Sequence, residues 1–310
     1  MIRRVAILGC GLIGSGWATF FASRGLSTRV FDIDSEVCQR GIQTARDNLR
    51  AMVQLNFLSA SELDRALSNL QLANSLEELL VDCDYVQESV QEDYAVKAQV
   101  YRSLEPYLSP TAILASSSSG LLMTRMQQAL ALPQRSLIAH PFNPPHLIPL
   151  VELVPGESTS PQTLADVKDF FMQLGKRPVV LKKEVPGHIA NRLAAAVWRE
   201  ALALLDADVA SCEDIDTALC CGPGVRWAVM GQHLIYELGG GAGGYEKFFD
   251  TIGVSFSAYW KDMAAWTEIP ATAKSKAIAG TDHLLEQRSR EQWLQWRDDK
   301  LGKILKILEE

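Results

Sequence analysis

The feature that most constrains the fold is a glycine pattern near the N-terminus. Gly9, Gly11 and Gly14 form a G-x-G-x-x-G motif that follows the apolar run at residues 5 to 8 and opens a predicted helix over residues 12 to 24. Between a buried strand and a helix, the first glycine permits a tight turn and the second lets the backbone approach a pyrophosphate. The third lets the helix pack closely on the strand. The chain therefore begins with a predicted dinucleotide-binding βαβ unit.

The residues around this motif indicate which dinucleotide is bound. Leu12 and Ile13 lie at the start of the predicted helix, where backbone amides would hold the phosphates. Asp32 ends the second predicted strand, and a carboxylate there can accept hydrogen bonds from the adenosine ribose of NAD and would repel the 2′-phosphate of NADP. No Arg or Lys follows Asp32 until Arg40. We predict NAD as the cofactor; motif, position and acid together disfavour the alternative of a glycine turn that binds no nucleotide.

Strand and helix signals alternate over the first two-thirds of the chain, which predicts an α/β fold with a doubly wound sheet. Further strands are predicted at residues 28–31, 70–73, 85–87, 112–115, 137–139, 149–153 and 178–181. A helical insertion is predicted at about residues 36–68, with Ser61 as a cap inside it. From residue 186 onward the pattern is helical. We predict an NAD-binding Rossmann domain over residues 1–185 and an all-helical substrate-binding and dimerisation domain over residues 186–310.

The composition disfavours several classes of function. A net charge of −7 gives no electrostatic reason to expect a nucleic acid as partner. No apolar stretch reaches the length of a membrane span, and the N-terminal apolar run is too short for a secretory signal. The six cysteines lack C-x-x-C pairs and metal-ligand spacing. We expect a cytoplasmic protein with reduced thiols, no bound metal and no membrane partner.

Polar residues that follow or interrupt predicted strands form a candidate catalytic constellation. A serine run at residues 116 to 119 ends one strand, and such hydroxyls face the ligand crevice at the carboxyl edge of a parallel sheet. His140 ends another strand. Glu152 lies in the apolar run LVELV, where an unpaired carboxylate is costly. A histidine is its natural partner, because the carboxylate fixes the imidazole tautomer and raises its basicity.

These motifs closely resemble the L-3-hydroxyacyl-CoA dehydrogenase family. The resemblance spans nearly the whole chain: the glycine motif, QESVQED at residues 87–93, the serine run, HPFNPP followed by LVE, and PGHIANR. It implies the same fold and NAD as cofactor. It also implies that Glu92 and Lys97 lie near the nicotinamide ribose, and we assign Ser117 to the cofactor site as well.

The same resemblance implies one mechanism, the oxidation of an L-3-hydroxyl group to a 3-keto group. His140 is the general base that takes the hydroxyl proton while hydride passes to the nicotinamide, and Glu152 stabilises the imidazolium. Ser119 and Asn191 bind the substrate and donate hydrogen bonds to the developing carbonyl oxygen. Taken singly, His140 could be a core histidine and Asn191 a helix cap. Together the four positions fit the mechanism.

Within this family the chain resembles the branch of L-carnitine dehydrogenase and of lambda-crystallin, an L-gulonate 3-dehydrogenase. The serine run ends in SGLL, and GPGVRWAVMG and LGGGAGG occur in the helical domain. Both relatives act on small free hydroxy acids, which implies a carnitine-like or gulonate-like substrate. Arg226 is the predicted reader of a free carboxylate, and Trp227 and Tyr236 would line the pocket by cation–π contact. Core packing of the aromatic residues, with Arg226 paired to a structural acid, is the equally weighted alternative.

Two other functions are open at this point. One is a 3-hydroxybutyryl-CoA dehydrogenase, and the other is a non-catalytic, NAD-binding structural protein of the crystallin kind. Near the C-terminus, Trp293, Trp296 and Ile304 recur at helical spacing and fit a subunit interface. We predict a homodimer that takes a small-molecule hydroxy acid as substrate.

Overall fold

The structure, a computed structural model, describes residues 2 to 308 of the 310-residue chain. The described residues divide into two units, of which the first ends at Arg192 and the second begins at Leu193. None of the described helices is long and apolar enough to span a membrane.

The first unit is built around one eight-stranded sheet. Its strands are β1 (Arg4–Leu8), β2 (Ser27–Phe31), β3 (Leu70–Leu72), β4 (Tyr85–Glu88), β5 (Ile113–Ser116), β6 (Ser136–Pro141), β7 (Leu150–Pro155) and β8 (Arg177–Val180). They lie in the order β3-β2-β1-β4-β5-β6-β7-β8, and every neighbouring pair is parallel except β6 and β7. The order reverses between β1 and β4, which is the topological switch point where doubly wound sheets bind ligands.

Helices connect these strands and make up the second unit. Those of the first unit are α1 (Leu12–Ser23), α2 (Ser35–Gln54), α3 (Ala60–Asn69), α4 (Leu76–Leu80), α5 (Tyr94–Leu104), α6 (Met123–Met126) and α7 (Pro161–Gln173). After α8 (Ala190–Asp206), which spans the division, follow α9 (Cys212–Cys221), α10 (Pro223–Val229), α11 (Gln232–Gly239), α12 (Gly244–Asp250), α13 (Gly253–Asp262), α14 (Ala271–Gln287) and α15 (Arg290–Ile307). The predicted fold class, a doubly wound α/β sheet followed by helices, is confirmed.

The helical stretch expected between β2 and β3 consists of α2 and α3, but its internal cap is not Ser61. The cap of α3 is Ser59, whose side chain accepts a hydrogen bond from the backbone N of Glu62. The Glu62 carboxylate accepts in return from the backbone N of Ser59 at 2.7 Å. This reciprocal pair is the S-x-x-E capping box, and its spacing in the sequence favours Ser59.

An aromatic cluster joins α1, α7 and β4 within the first unit. Phe21 of α1 stacks on Phe170 of α7 with ring centroids 5.8 Å apart, and Trp17 lies 5.5 Å from Phe171. Tyr85 of β4 contacts Phe170 at 5.3 Å. All five side chains are buried. The cluster therefore fixes α1, and with it the glycine turn at its start, against the sheet.

Candidate active site

The glycine turn between β1 and α1 has the shape that a dinucleotide requires. Gly9 has φ +91°, in the left-handed region that favours glycine, and a Cβ there would lie 2.7 Å from the carbonyl oxygen of Ser89. A Cβ on Gly14 would lie 1.8 Å from the carbonyl oxygen of Gly9, so the turn closes only with glycine at this position. Gly11 faces open space, and Leu12, the first residue of α1, is 69% exposed. The backbone amides at the start of α1 are therefore accessible to a phosphate.

Asp32, at the carboxyl end of β2, is tied to this turn. Its Oδ2 accepts a hydrogen bond from the backbone N of Cys10 at 2.8 Å, and its Oδ1 accepts from that of Asp34 at 3.0 Å. The carboxylate is half-buried, so it keeps a face on which the hydroxyls of an adenosine ribose can donate. The turn and this acid fit NAD.

Replacing Asp32 with Ala is expected to lower the preference for NAD over NADP, measured as the ratio of kcat/KM values, by about tenfold or more. A hydrogen bond to a charged group is worth about 1.5–3 kcal/mol, and the repulsion of the 2′-phosphate is lost as well. The matched control is Asp34→Ala, because Asp34 caps α2 by accepting from the backbone N of Glu36 and Val37. An unchanged ratio in Asp32→Ala would show that this acid does not read the ribose.

Six of the predicted site residues line one cavity of the first unit. The cavity has a volume of about 390 Å³. Its lining includes Ile13, Glu92, Ser117, Ser119, His140 and Asn191. Because these residues come from the ends of β5 and β6, from the segment after β4 and from the starts of α1 and α8, the carboxyl edge of the sheet brings them together.

His140, which lines this cavity, forms a buried pair with Glu152. The two residues are direct partners in the register of the antiparallel strands β6 and β7. His140 Nδ1 lies 2.8 Å from Glu152 Oε2, and the other carboxylate oxygen accepts from the backbone N of Ile189 at 2.8 Å and of Ala190 at 2.9 Å. Among the described residues, none hydrogen-bonds His140 Nε2. With Nδ1 bound to the carboxylate, Nε2 is the ring nitrogen left for a ligand.

Electrostatics keep Glu152 ionised in this pair. Burial raises the pKa of Glu152, but the hydrogen bonds from His140 and from the amides of Ala190 and Ile189 outweigh it and hold the pKa below its ordinary value. A carboxylate that is ionised behind the ring orients Nδ1–H towards itself. The pair therefore has the arrangement of a histidine base with its orienting acid.

The serine run is held by Glu92, which the sequence placed near the nicotinamide ribose. Glu92 Oε1 accepts from the backbone N of Ser119 and of Gly120, each at 2.8 Å, and from Ser118 Oγ at 2.7 Å. Burial raises the pKa of Glu92, but these donors and the nearby Lys97 ammonium outweigh burial. The pKa of Glu92 therefore lies below its ordinary value. Glu92 therefore lines the cavity and also fixes the loop that presents Ser119.

Ser117 lies on the same loop and also lines the cavity. Its Oγ lies within hydrogen-bond distance of Trp17 Nε1 (3.2 Å), Gln87 Nε2 (2.8 Å) and Ser89 Oγ (2.8 Å). These contacts connect β4, β5 and α1 around one hydroxyl.

Lys97 is not among the residues that line the cavity, and its predicted place near the nicotinamide ribose stays a prediction. Its side chain is 1% exposed, and its Nζ lies 2.7 Å from Glu88 Oε1 and 3.7 Å from Glu92 Oε2. The Lys97 ammonium is buried against Glu88, because a buried carboxylate needs a counter-charge in the interior. Glu88, which the sequence reasoning missed, also accepts from Tyr101 Oη and Ser116 Oγ. Its signal was an acid at the end of a buried strand.

Lys176 is a second buried lysine that the sequence did not single out. It is 5% exposed, and its Nζ donates to the carbonyl oxygens of Pro145 and of Ile148 and lies 4.3 Å from the ring centroid of Phe20. Burial lowers its pKa to about 7. A neutral amine still has two N–H donors, enough for both carbonyls. Lys176 therefore anchors the loop after β6, which contributes to the cavity wall.

Arg226, the predicted carboxylate-binding residue, and Trp227 lie on α10 of the second unit, and Tyr236 lies on α11. Arg226 is exposed and has no ion-pair partner among the described residues, so no structural acid accounts for it. Trp227 donates from Nε1 to Gln232, which in turn donates to Tyr236 Oη. These contacts order Trp227 and Tyr236 relative to each other.

Two family models match the chain. The model of the 3-hydroxyacyl-CoA dehydrogenase NAD binding domain matches residues 4–185, and that of the 3-hydroxyacyl-CoA dehydrogenase C-terminal domain matches residues 187–278. The chain belongs to the 3-hydroxyacyl-CoA dehydrogenase family. The family resemblance drawn from the sequence motifs is therefore confirmed.

Individual relatives narrow the branch within this family. The chain is 36% identical over 305 residues to an L-carnitine dehydrogenase of Streptomyces coelicolor, and the match covers 98% of this chain and 94% of the relative. It is also 36% identical over 300 residues to a 3-hydroxyacyl-CoA dehydrogenase of Gibberella moniliformis, with 93% and 92% coverage. Among solved structures, a 5-formyl-3-hydroxy-2-methylpyridine 4-carboxylic acid 5-dehydrogenase, an NAD+-dependent dismutase, superposes with a TM-score of 0.84 at 28% identity, covering 100% and 99%.

Membership of this family and the carnitine dehydrogenase relatives make the chain an NAD-dependent oxidoreductase that acts on CH–OH groups. Its cofactor is NAD, in agreement with the glycine turn and Asp32. The alternative of a non-catalytic structural protein is thereby set aside.

Proposed function

We propose that this dehydrogenase oxidises the 3-hydroxyl of a small L-3-hydroxy acid, carnitine-like or gulonate-like, to the 3-keto acid, with His140 as general base. The observation that carries the proposal is the convergence of His140, Ser119 and Asn191 on one cavity, with Glu152 bonded to the far side of the histidine. A base, two hydrogen-bond donors and an orienting acid are the groups that dehydrogenation of an alcohol requires.

In this mechanism each residue has one task. His140 Nε2 takes the proton of the substrate hydroxyl, because Nδ1 is held by Glu152 and cannot turn towards the substrate. Bound NAD+ supplies the hydride acceptor. Glu152 stabilises the imidazolium that forms, and Ser119 and Asn191 donate to the oxygen as it becomes a carbonyl.

The free carboxylate is supported by the second unit and by the relatives. L-Carnitine dehydrogenases and the pyridine carboxylic acid dehydrogenase are named for substrates that carry a free acid group. Arg226, exposed and without an ion-pair partner among the described residues, has the guanidinium that binds such a group bidentately. Trp227 and Tyr236 supply aromatic faces for an apolar or trimethylammonium group.

The substrate class is tested by NADH formation with L-carnitine, L-gulonate, L-3-hydroxybutyrate and L-3-hydroxybutyryl-CoA side by side. We expect the highest kcat/KM with one of the three free acids. If the CoA thioester is turned over faster than every free acid, the proposal is wrong. The substrate is then a hydroxyacyl-CoA, the class for which the Gibberella moniliformis relative is named.

Arg226→Met is expected to raise KM for the preferred free acid by about 10²-fold, while Arg226→Lys raises it less. A bidentate, charge-assisted pair is lost in the first variant, whereas a single charge persists in the second. Arg297→Met is the matched control, because Arg297 is partly exposed and pairs with Asp298 on α15. An unchanged KM in Arg226→Met would remove this residue from the substrate site.

We further propose that the protein is a homodimer that pairs through the second unit. Large apolar side chains are exposed there, among them Trp198 at 58%, Trp260 at 67% and, on the C-terminal helix, Trp296 at 46% and Ile307 at 67%. Exposed apolar surface of this kind is typical of subunit interfaces. Sedimentation at micromolar concentration is expected to give twice the mass of the chain, and the mass of a single chain would contradict the dimer.

A further inference from the structure

The segment that leads into α8 carries an unusual residue beside the proposed base. Gly187 has φ +76° and His188 has φ +50°, both in the left-handed region. Glycine adopts this conformation freely, but a residue with a Cβ does so rarely, and such residues cluster at functional sites. His188 is also 1% exposed.

The hydrogen bonding of His188 fixes its tautomer. Its Nε2 lies 3.0 Å from the carbonyl oxygen of Ser118. A carbonyl oxygen only accepts, so the hydrogen must be on Nε2, and Nδ1 of the neutral ring carries a lone pair. Nδ1 is buried and has no hydrogen-bond partner among the described residues. A buried polar atom left unpaired is unfavourable and calls for an explanation, as does the strained backbone.

His188 lies between the His140–Glu152 pair and the loop that carries Ser119. Its ring centroid lies 5.2 Å from that of His140, with an angle of 60° between the rings. The backbone N of Ile189, the next residue, donates to the carboxylate of Glu152. On its other side the ring holds the carbonyl of Ser118, which directly precedes the proposed substrate residue Ser119.

We propose that His188 is a positioning residue for hydride transfer: its Nε2–H bond to the Ser118 carbonyl holds the serine loop at a fixed distance from the His140 ring. The unfavourable backbone and the unpaired Nδ1 are then retained because this bond sets the spacing between base and serine. The proposal rests on the proposed function, since it takes His140 and Ser119 as the groups that meet the substrate hydroxyl. His188 itself contacts the His140 ring and the Ser118 carbonyl, and it is not among the residues that line the cavity.

Three substitutions separate the bond from the ring. In His188→Gln the amide nitrogen lies near the position of Nε2 and can donate to Ser118. His188→Phe keeps the ring but has no donor, and His188→Asn has a donor that is too short to reach. Loss of one such bond is expected to lower kcat by about tenfold in the Phe and Asn variants. The Gln variant should stay within about threefold of the parent, and the dissociation constant of NADH should stay within about twofold in all three.

An activity-independent readout accompanies the kinetics. In ¹⁵N-histidine-labelled protein, the Nδ1–H resonance of His140 reports its bond to Glu152, and we expect it to shift in the Phe and Asn variants and to be restored in the Gln variant. A Phe variant with parental kcat and resonance would overturn the proposal. So would a Gln variant as impaired as Phe, or a parallel loss of NADH affinity, which indicates general damage. If the parent protein turns over no hydroxy acid, the proposed function fails, while the resonance still shows whether the bond between His188 and Ser118 affects the surroundings of the His140 ring.

Discussion

Replacing His140 with Gln lowers kcat for the preferred substrate by about 10²- to 10⁴-fold, the usual effect of removing a positioned general base. Glutamine fills a similar volume, but its amide cannot accept the hydroxyl proton. The dissociation constant of NADH should change by less than about twofold, because the glycine turn and Asp32 are untouched. Steady-state rates and fluorescence titration with NADH measure the two quantities on the same preparation.

The control for this substitution is His283→Gln. His283 lies on α14, and its side chain is 68% exposed beside Glu286, so its loss should leave kcat unchanged. A His140→Gln variant that retains more than about a tenth of the parental kcat would show that proton removal does not depend on this ring.

Glu152→Gln is expected to lower kcat by about 10²-fold, since the acid no longer fixes the tautomer or stabilises the imidazolium. It should also lower the free energy of unfolding by about 1–3 kcal/mol. The carboxylate has acceptors for His140 Nδ1–H on one oxygen and for the amides of Ile189 and Ala190 on the other. The amide of Gln has only one oxygen. Either His140 Nδ1–H or the two backbone amides would therefore face an NH₂ group instead of an acceptor.

The pH dependence of stability offers a second readout for Glu152. Its pKa is lower in the folded chain than its ordinary value, so the unfolded chain binds more protons where the two states differ. The stabilisation is therefore present above the ordinary glutamate pKa and is lost as the pH falls through the folded value. Glu152→Gln should lack this acid-dependent loss, whereas Glu157→Gln, an exposed acid that follows β7, should retain it. Equal acid sensitivity in parent and Glu152→Gln would contradict the pairing.

The two substitutions should not be additive in kcat. If His140 and Glu152 act as one unit, the double variant His140→Gln/Glu152→Gln has a kcat close to that of His140→Gln alone. Multiplied losses in the double variant would indicate that Glu152 acts on the reaction by a route independent of the histidine.

The sequence alone was sufficient to predict the strand, glycine turn and acid at the start of the first unit. The first strand, the glycines and Asp32 are local features whose geometry follows from steric limits on a strand–turn–helix, and the structure has each in its expected position. The strand and helix order also followed, because buried parallel strands and amphipathic helices have distinct patterns.

The active site was less accessible to sequence reasoning, because it depends on contacts between distant segments. The antiparallel direction of β7 does have a sequence signal: the loop between β6 and β7 is shorter than the roughly dozen residues that a parallel crossover needs. The burial of Lys97 and the left-handed backbone of His188 had no such signal. A lysine is expected at the surface, and only the presence of Glu88 beneath it reverses that expectation.

The most direct test of the account follows the hydride and the base together. An L-3-hydroxy acid that carries deuterium on its carbinol carbon is incubated with NAD+ and either the parent enzyme or His140→Gln, and the deuterium content of the reduced nicotinamide is measured by mass spectrometry. We expect deuterated NADH with the parent and a rate lower by about 10²-fold or more with the variant. Reduction without label, or label transfer at the same rate in both proteins, would contradict it.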